Sequence, residues 1–132
     1  MNTKVSNWNG YNVYGDVNEI ADLTDVKAFI KIDEEDVMSI LSQDGTNYVS
    51  AERTSTLEDA FNQAVKNLGC PPEKIRELLI GFRCGSKQPD MMELTRLSLF
   101  LTELNPELSV KWGICQDSSL GEDYKVILLA SI

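Results

Sequence analysis

The sequence predicts an α/β sandwich in two layers, with a mixed sheet of about four or five strands and two main helices on one face. Three observations carry this expectation. Residues 56–68 and 89–104 show the three-four apolar spacing of amphipathic helices. Apolar runs of strand length lie between and after them. At 132 residues the chain has room for one domain with a real core.

In the first helical segment Leu57, Ala60, Phe61, Ala64, Val65 and Leu68 form one stripe. Ser55 with Glu58 reads as a capping-box start, and Gly69 followed by Pro71 and Pro72 as the stop. In the second, Pro89 suits the first turn, and Asp90 and Glu93 suit the positive end of the helix dipole. Leu94, Leu97, Leu101 and Leu104 give that helix its seam, and Asn105-Pro106 ends it. A shorter helix is expected over residues 23–30.

Residues 37–43 lead to Asp44-Gly45, a hairpin signal, and then to residues 46–51, so two paired strands are expected there. Further strands are expected at 77–84, 109–116 and 124–132, the last two joined as an antiparallel pair by a turn at 117–122. Alternation puts Leu78, Ile80 and Phe82 with Val110, Trp112 and Ile114 against the helices. The opposite face receives Arg83, Lys111 and Lys125 but also Leu79, Cys115, Ile127 and Leu129. Such a face is too apolar to be simply solvated. Either residues 1–16, an N-terminal extension carrying Trp8, Tyr11 and Tyr14, fold over it, or Leu79, Ile127 and Leu129 form a partner surface, for instance in a homodimer.

The formal net charge of −9 argues against nucleic-acid and anionic-membrane partners, whose phosphates repel such a surface. No signal peptide or run long enough to span a bilayer stands out, so a cytoplasmic location is expected. Cys70, Cys84 and Cys115 are odd in number and far apart, and read as reduced, buried thiols rather than zinc ligands. The chain has no histidine, which removes Ser-His-Asp and Cys-His sites. No P-loop is present, and Gly81 and Gly85 stand apart from any GK[ST]. Neither a metal, nor a cofactor, nor an enzyme acting alone is expected.

Three segments resemble the C-terminal domain of FtsZ, the tubulin-like division protein. The most specific runs from Trp112-Gly113-Ile114-Cys115-Gln116-Asp117 through Leu120-Gly121 to the strand Tyr124–Ser131. It resembles the family's aromatic-Gly, strand, Asp, Leu-Gly and final strand. The second, Leu78-Leu79-Ile80-Gly81-Phe82 with Gly85 and the following helix, resembles the family's apolar strand, glycine loop and helix, although Cys84-Gly85-Ser86 replaces paired glycines. The third, Ala21-Asp22-Leu23-Thr24-Asp25-Val26-Lys27, resembles the synergy loop, with Ile20 in place of its asparagine.

The resemblance covers residues 17–132. It implies a free-standing version of that domain without the GTP-binding domain, whose GGGTGTG-like signature is missing. Residues 1–16 show no helical stripe, so the central helix that leads into the FtsZ synergy loop is not expected, nor is a flexible tail after Ile132. In FtsZ the two loop aspartates enter the next subunit's nucleotide pocket, and Asp22 and Asp25 occupy their places. Asp at a helix start and again three residues later is also what capping favours in any protein, so both readings stand. The leading functional expectation is a non-catalytic protein-interaction module linked to cell division, docking on FtsZ, on a tubulin-like filament or on itself. One alternative is a component that completes a partner chain's GTPase site in trans through Asp22 and Asp25. The other is a small-molecule-binding α/β domain.

Overall fold

A computed structural model describes residues 5–24, 32–43, 45–87 and 89–132. Among these the elements run β1 (Val5–Trp8), β2 (Tyr11–Tyr14), α1 (Ile20–Leu23), α2 (Glu34–Leu41), β3 (Asn47–Thr54), α3 (Leu57–Asn67), β4 (Glu77–Cys84), α4 (Met91–Leu104), β5 (Ser109–Gln116) and β6 (Tyr124–Ser131). The described strands form one open sheet in the order β1-β2-β3-β6-β4-β5. The sheet is mixed: β6 runs antiparallel to both neighbours, whereas β4 and β5 are parallel.

The α/β class, the mixed sheet and the placement of both main helices on one face hold. Leu57, Phe61 and Leu68 of the α3 segment and Leu94 and Leu97 of α4 pack in one core with Leu78, Ile80, Phe82, Val126 and Leu128. Val110, Trp112 and Ile114 border that core, as alternation predicts. The side chains of Leu101 and Leu104 lie outside the described residues. The N-cap of α3 is Thr56, whose hydroxyl accepts from the Asp59 N–H at 3.2 Å, one residue later than the expected Ser55 start.

Residues 37–43 do not form a strand. Residues 37–41 belong to α2, whose Val37, Ile40 and Leu41 are buried on one side, and residues 42–43 follow its end. The carboxylate of Asp36 accepts the Asp33 N–H at 2.8 Å, closing a capping box that fixes the helix start. The apolar spacing 37, 40, 41 is helical, and the Asp44-Gly45 signal misleads. Asp44 itself, like most of the helix expected over 23–30, lies outside the described residues.

The last two strands do not pair either. They are antiparallel, but β4 lies between them. The connection steps across the end of β4, where the Asp117 N–H donates to the Cys84 carbonyl (2.7 Å) and the Ser86 N–H to the Gly121 carbonyl (2.6 Å). Two strand spacings are only about 10 Å, a gap that a short linker bridges. Gly85 permits the crossing, since a Cβ there would run into the Gly121 carbonyl.

The second face of the sheet carries its own core, built from Ile20, Leu23, Ile32, Val37, Ile40 and Leu41 over Val49, Leu79, Ile127 and Leu129. Leu79, Ile127 and Leu129 are therefore buried under α1 and α2, and the partner surface expected on them is internal. Of the N-terminal extension, Val13 of β2 is fully buried in this core, and Trp8 and Tyr11 lie at its margin. Instead of lying across the face, β1 and β2 extend the sheet, with β2 parallel to β3 through Val13 and Tyr14. Tyr14 stacks on Tyr48, ring centroids 5.2 Å apart.

Candidate functional site

The face under α1 and α2 ends in a row of charge. Arg53 of β3, Lys125 of β6 and Arg83 of β4 are cross-strand neighbours, with Cys115 of β5 beyond Arg83. Like charges directly opposite one another on a sheet repel, so the row needs anions. Each cation receives them from a loop or from α1. Arg53 Nε lies 2.9 Å from Asp123 Oδ2, and its Nη2 donates to the Leu120 carbonyl at 3.2 Å. Arg83 Nη2 lies 3.1 Å from Asp117 Oδ2, and Nη1 donates to the Asp22 carbonyl at 3.2 Å. Lys125 Nζ lies 2.8 Å from Glu19 Oε2 and 3.6 Å from Asp22 Oδ2.

These contacts put Asp22 at the rim of the row. Leu23 beside it is buried, and Gly81 makes room for it, because a Cβ at Gly81 would come within 2.7 Å of Leu23 Cδ2. Asp16 caps the preceding turn by accepting the Asn18 N–H at 3.0 Å. Among the described residues Asp22 caps no helix; the N-cap of α1 is Glu19. The Asp22 side chain is 46% exposed, against 9% for Arg83. Asp25, its expected companion, lies outside the described residues.

Asp117 is the most tightly held carboxylate of the group. Its Oδ1 accepts both the N–H (3.0 Å) and the hydroxyl (2.6 Å) of Ser119. The Ser119 hydroxyl, then the Arg83 guanidinium, hold its carboxyl below the usual range against the opposing effect of desolvation. Burial, with Glu73 nearby, pushes the Cys70 thiol up to about 11, so it is protonated at neutral pH. Cys84 and Cys115 are buried as well.

The cleft between Asp22, Arg83, Gly81 and Gly113 measures about 10 Å³, room for about one water. A larger cleft of about 150 Å³ lies at the opposite end of the same face, lined by Asp36, Ser39, Glu77, Ser109 and Lys111. It is open, with Ile40, Leu78 and Leu79 also in its lining, and smaller than the roughly 300 Å³ at which ligand pockets begin. Among the described residues no group of His, Cys, Asp and Glu side chains is placed to hold a metal ion. No helix there is long and apolar enough to cross a membrane.

Of the residues singled out in the sequence, the structure therefore leaves Asp22 at a surface and buries Leu79, Ile127 and Leu129. Alternation assigns Arg83 and Lys125 to the second face, but no local pattern points to their carboxylate partners. The available signal was two charges at alternate positions of strands otherwise apolar on that face.

The same architecture recurs in solved structures. FtsZ from M. jannaschii, solved as an empty dimer, superposes with a TM-score of 0.72 at 16% identity, covering 88% of this chain and 35% of that one. CetZ from Methanosaeta thermophila gives 0.69 at 15% identity, over 88% and 34% of the two chains. TubZ from Bacillus thuringiensis serovar israelensis, solved as GDP-form protofilaments, gives 0.64 at 15% identity, over 86% and 34%.

The fold is that of the FtsZ C-terminal domain.

At these identities the likeness establishes the FtsZ-type fold alone. The chain spans about a third of the length of the structures it matches. No protein-family model matches the sequence, and no curated protein matches it significantly.

Proposed function

We propose that this FtsZ-type domain is a non-catalytic interaction module, and that its acidic end, centred on Asp22, docks on a tubulin-like filament protein. The observation that carries the proposal is the combination of exposure and anchoring at Asp22. Its backbone is tied to Arg83 and its carboxylate lies near Lys125, yet nearly half of the side chain faces solvent. A carboxylate held at a rim with almost no cavity beside it suits contact with another chain better than capture of a small molecule. The four carboxylates Glu19, Asp22, Asp117 and Asp123 outnumber the three cations of the row and leave Asp22 with only the longest contact, so the complementary surface carries basic groups or a bound cation. The dimer and protofilaments formed by the FtsZ and TubZ structures favour a protein partner of that kind.

A second reading has Asp22 complete a GTPase site on the partner, as the synergy-loop resemblance implies. Both readings are separated by one experiment with a tubulin-like GTPase from the same organism. Co-sedimentation with its polymers is measured for the wild type and for Asp22→Ala, alongside GTP turnover. Docking predicts that Asp22→Ala weakens co-sedimentation about tenfold without changing turnover per polymer. Intact binding with loss of stimulated turnover supports completion in trans. Absence of binding by the wild type overturns both.

A further inference from the structure

We propose that the outer edge of β5 pairs with the same edge of a second copy of this chain, antiparallel about a two-fold axis at Gly113. The argument starts from the edges of the sheet. One described edge is β1, only four residues long. The other is β5, eight residues in unbroken register with β4 from Ser109 to Gln116. Edge strands are usually protected by shortness, proline, bulges, charged side chains such as Lys, or a covering helix or loop. β1 has the first of these. β5 contains no proline, its register shows no bulge, and its one charge, Lys111, is neutralised by Asp36 at 2.7 Å.

The direction of each main-chain group follows from the ends of the strand. The N–H groups of Ser109 and Asp117 bond to Arg76 and Cys84 on the β4 side. Odd-numbered residues therefore turn their N–H and C=O towards β4, and Val110, Trp112 and Ile114 turn theirs outwards. Among the described residues no main-chain group on that outer side bonds to these three. Their side chains are partly buried, bordering the α3/α4 core, and Trp112 meets Phe82 edge to face with centroids 6.1 Å apart.

The strand is complementary to itself. With the axis at Gly113, Trp112 faces Ile114 of the second copy and Val110 faces Gln116. These residues all present outward N–H and C=O groups, as hydrogen-bonded antiparallel pairs require. Lys111 then faces Cys115, and no like charges are opposed. The aromatic-to-β-branched pairing of Trp112 with Ile114 is among the favourable cross-strand pairs. Moving the axis to Trp112 brings Glu107 towards Asp117, which selects the Gly113 register. The opposing force is the net charge of −9 on each copy, which salt screens beyond about 10 Å at 0.1 M. An edge contact of this length falls below the roughly 1,200 Å² of a standard interface, so the pair is reversible and concentration-dependent.

Sedimentation velocity on the full chain tests this, from about 10 µM to 1 mM and at low and high salt. The expected result is a monomer–dimer equilibrium shifted at least threefold towards dimer by salt. Amide exchange at Val110, Trp112 and Ile114 should slow in step with the dimer fraction. Val110→Pro and the milder Gln116→Pro remove outward N–H groups while leaving the bonds to β4, and each should be monomeric with its thermal transition retained. If Val110→Pro fails to fold, Gln116→Pro and the wild-type exchange decide. A wild type that stays monomeric, a dimer that persists in Gln116→Pro, or exchange at these amides independent of concentration overturns the proposal.

Discussion

Arg83 stands in a strand whose other residues are nearly all apolar, and its guanidinium is held by Asp117 and by the Asp22 carbonyl. Removing it leaves Asp117 without its cation in a partly desolvated place. Arg83→Ala is therefore expected to lower the unfolding free energy by about 3 kcal/mol, the range for breaking one side of a buried pair. Asp117 supplies a pH test. Its folded pKa lies below the unfolded value of about 3.9. It therefore contributes stability that is fully present above the unfolded value and is lost as pH falls through the folded one. Urea unfolding between about pH 2 and 7 should show Asp117→Asn less stable than wild type at neutral pH, with the two curves converging in acid. Parallel curves across the whole range would rule out this role for the carboxylate.

One side chain of α2 serves both its start and its polar link to the sheet, beside the Asp33 half of the capping box and the packing of Val37, Ile40 and Leu41. Asp36 closes the capping box and receives Lys111 of β5. Although desolvation opposes ionisation, the hydrogen bond from Lys111 and that from Asp33 keep the Asp36 carboxyl below its ordinary range. Asp36→Ala should cost on the order of 1–2 kcal/mol, mostly from the lost cap. Lys111→Ala, which removes only a half-exposed partner, should cost less than about 0.5 kcal/mol. Equal losses in chemical denaturation would mean that the ion pair, not the cap, holds α2. The α2 helix was legible in the sequence, since Asp33, Asp36 and the spacing of Val37, Ile40 and Leu41 are local signals. The Asp44-Gly45 pair outweighed them because a turn signal carries no information about what precedes it.

Across the whole molecule, the decisive feature is that both faces of the sheet are covered. β6 is a central strand, and Val126 through Ala130 are buried from both sides. Leu129→Ala should accordingly cost about 3 kcal/mol as a core cavity while leaving the sedimentation of the folded protein unchanged. A change in association without a loss of stability would restore Leu129 to a surface. The outward contacts of the molecule then lie at the Asp22 rim and along β5, sites that differ in chemistry and are separable by mutation.

By itself the sequence determined the class of the fold, the helices α3 and α4, the strands β3 to β6 and the face each side chain of β4 and β5 presents. These follow from periodicities of 3.6 and 2 residues, which are set within a few residues of each position. Only the tertiary structure decided that β6 enters between β3 and β4, that α1 and α2 close the second face over Leu79, Ile127 and Leu129, and that Lys125 and Arg83 hold Asp22 at the rim. Strand order and ion pairing join residues far apart in the chain, as Arg83 is from Asp22. The energy that selects them comes from burying one element against another, which no local pattern records.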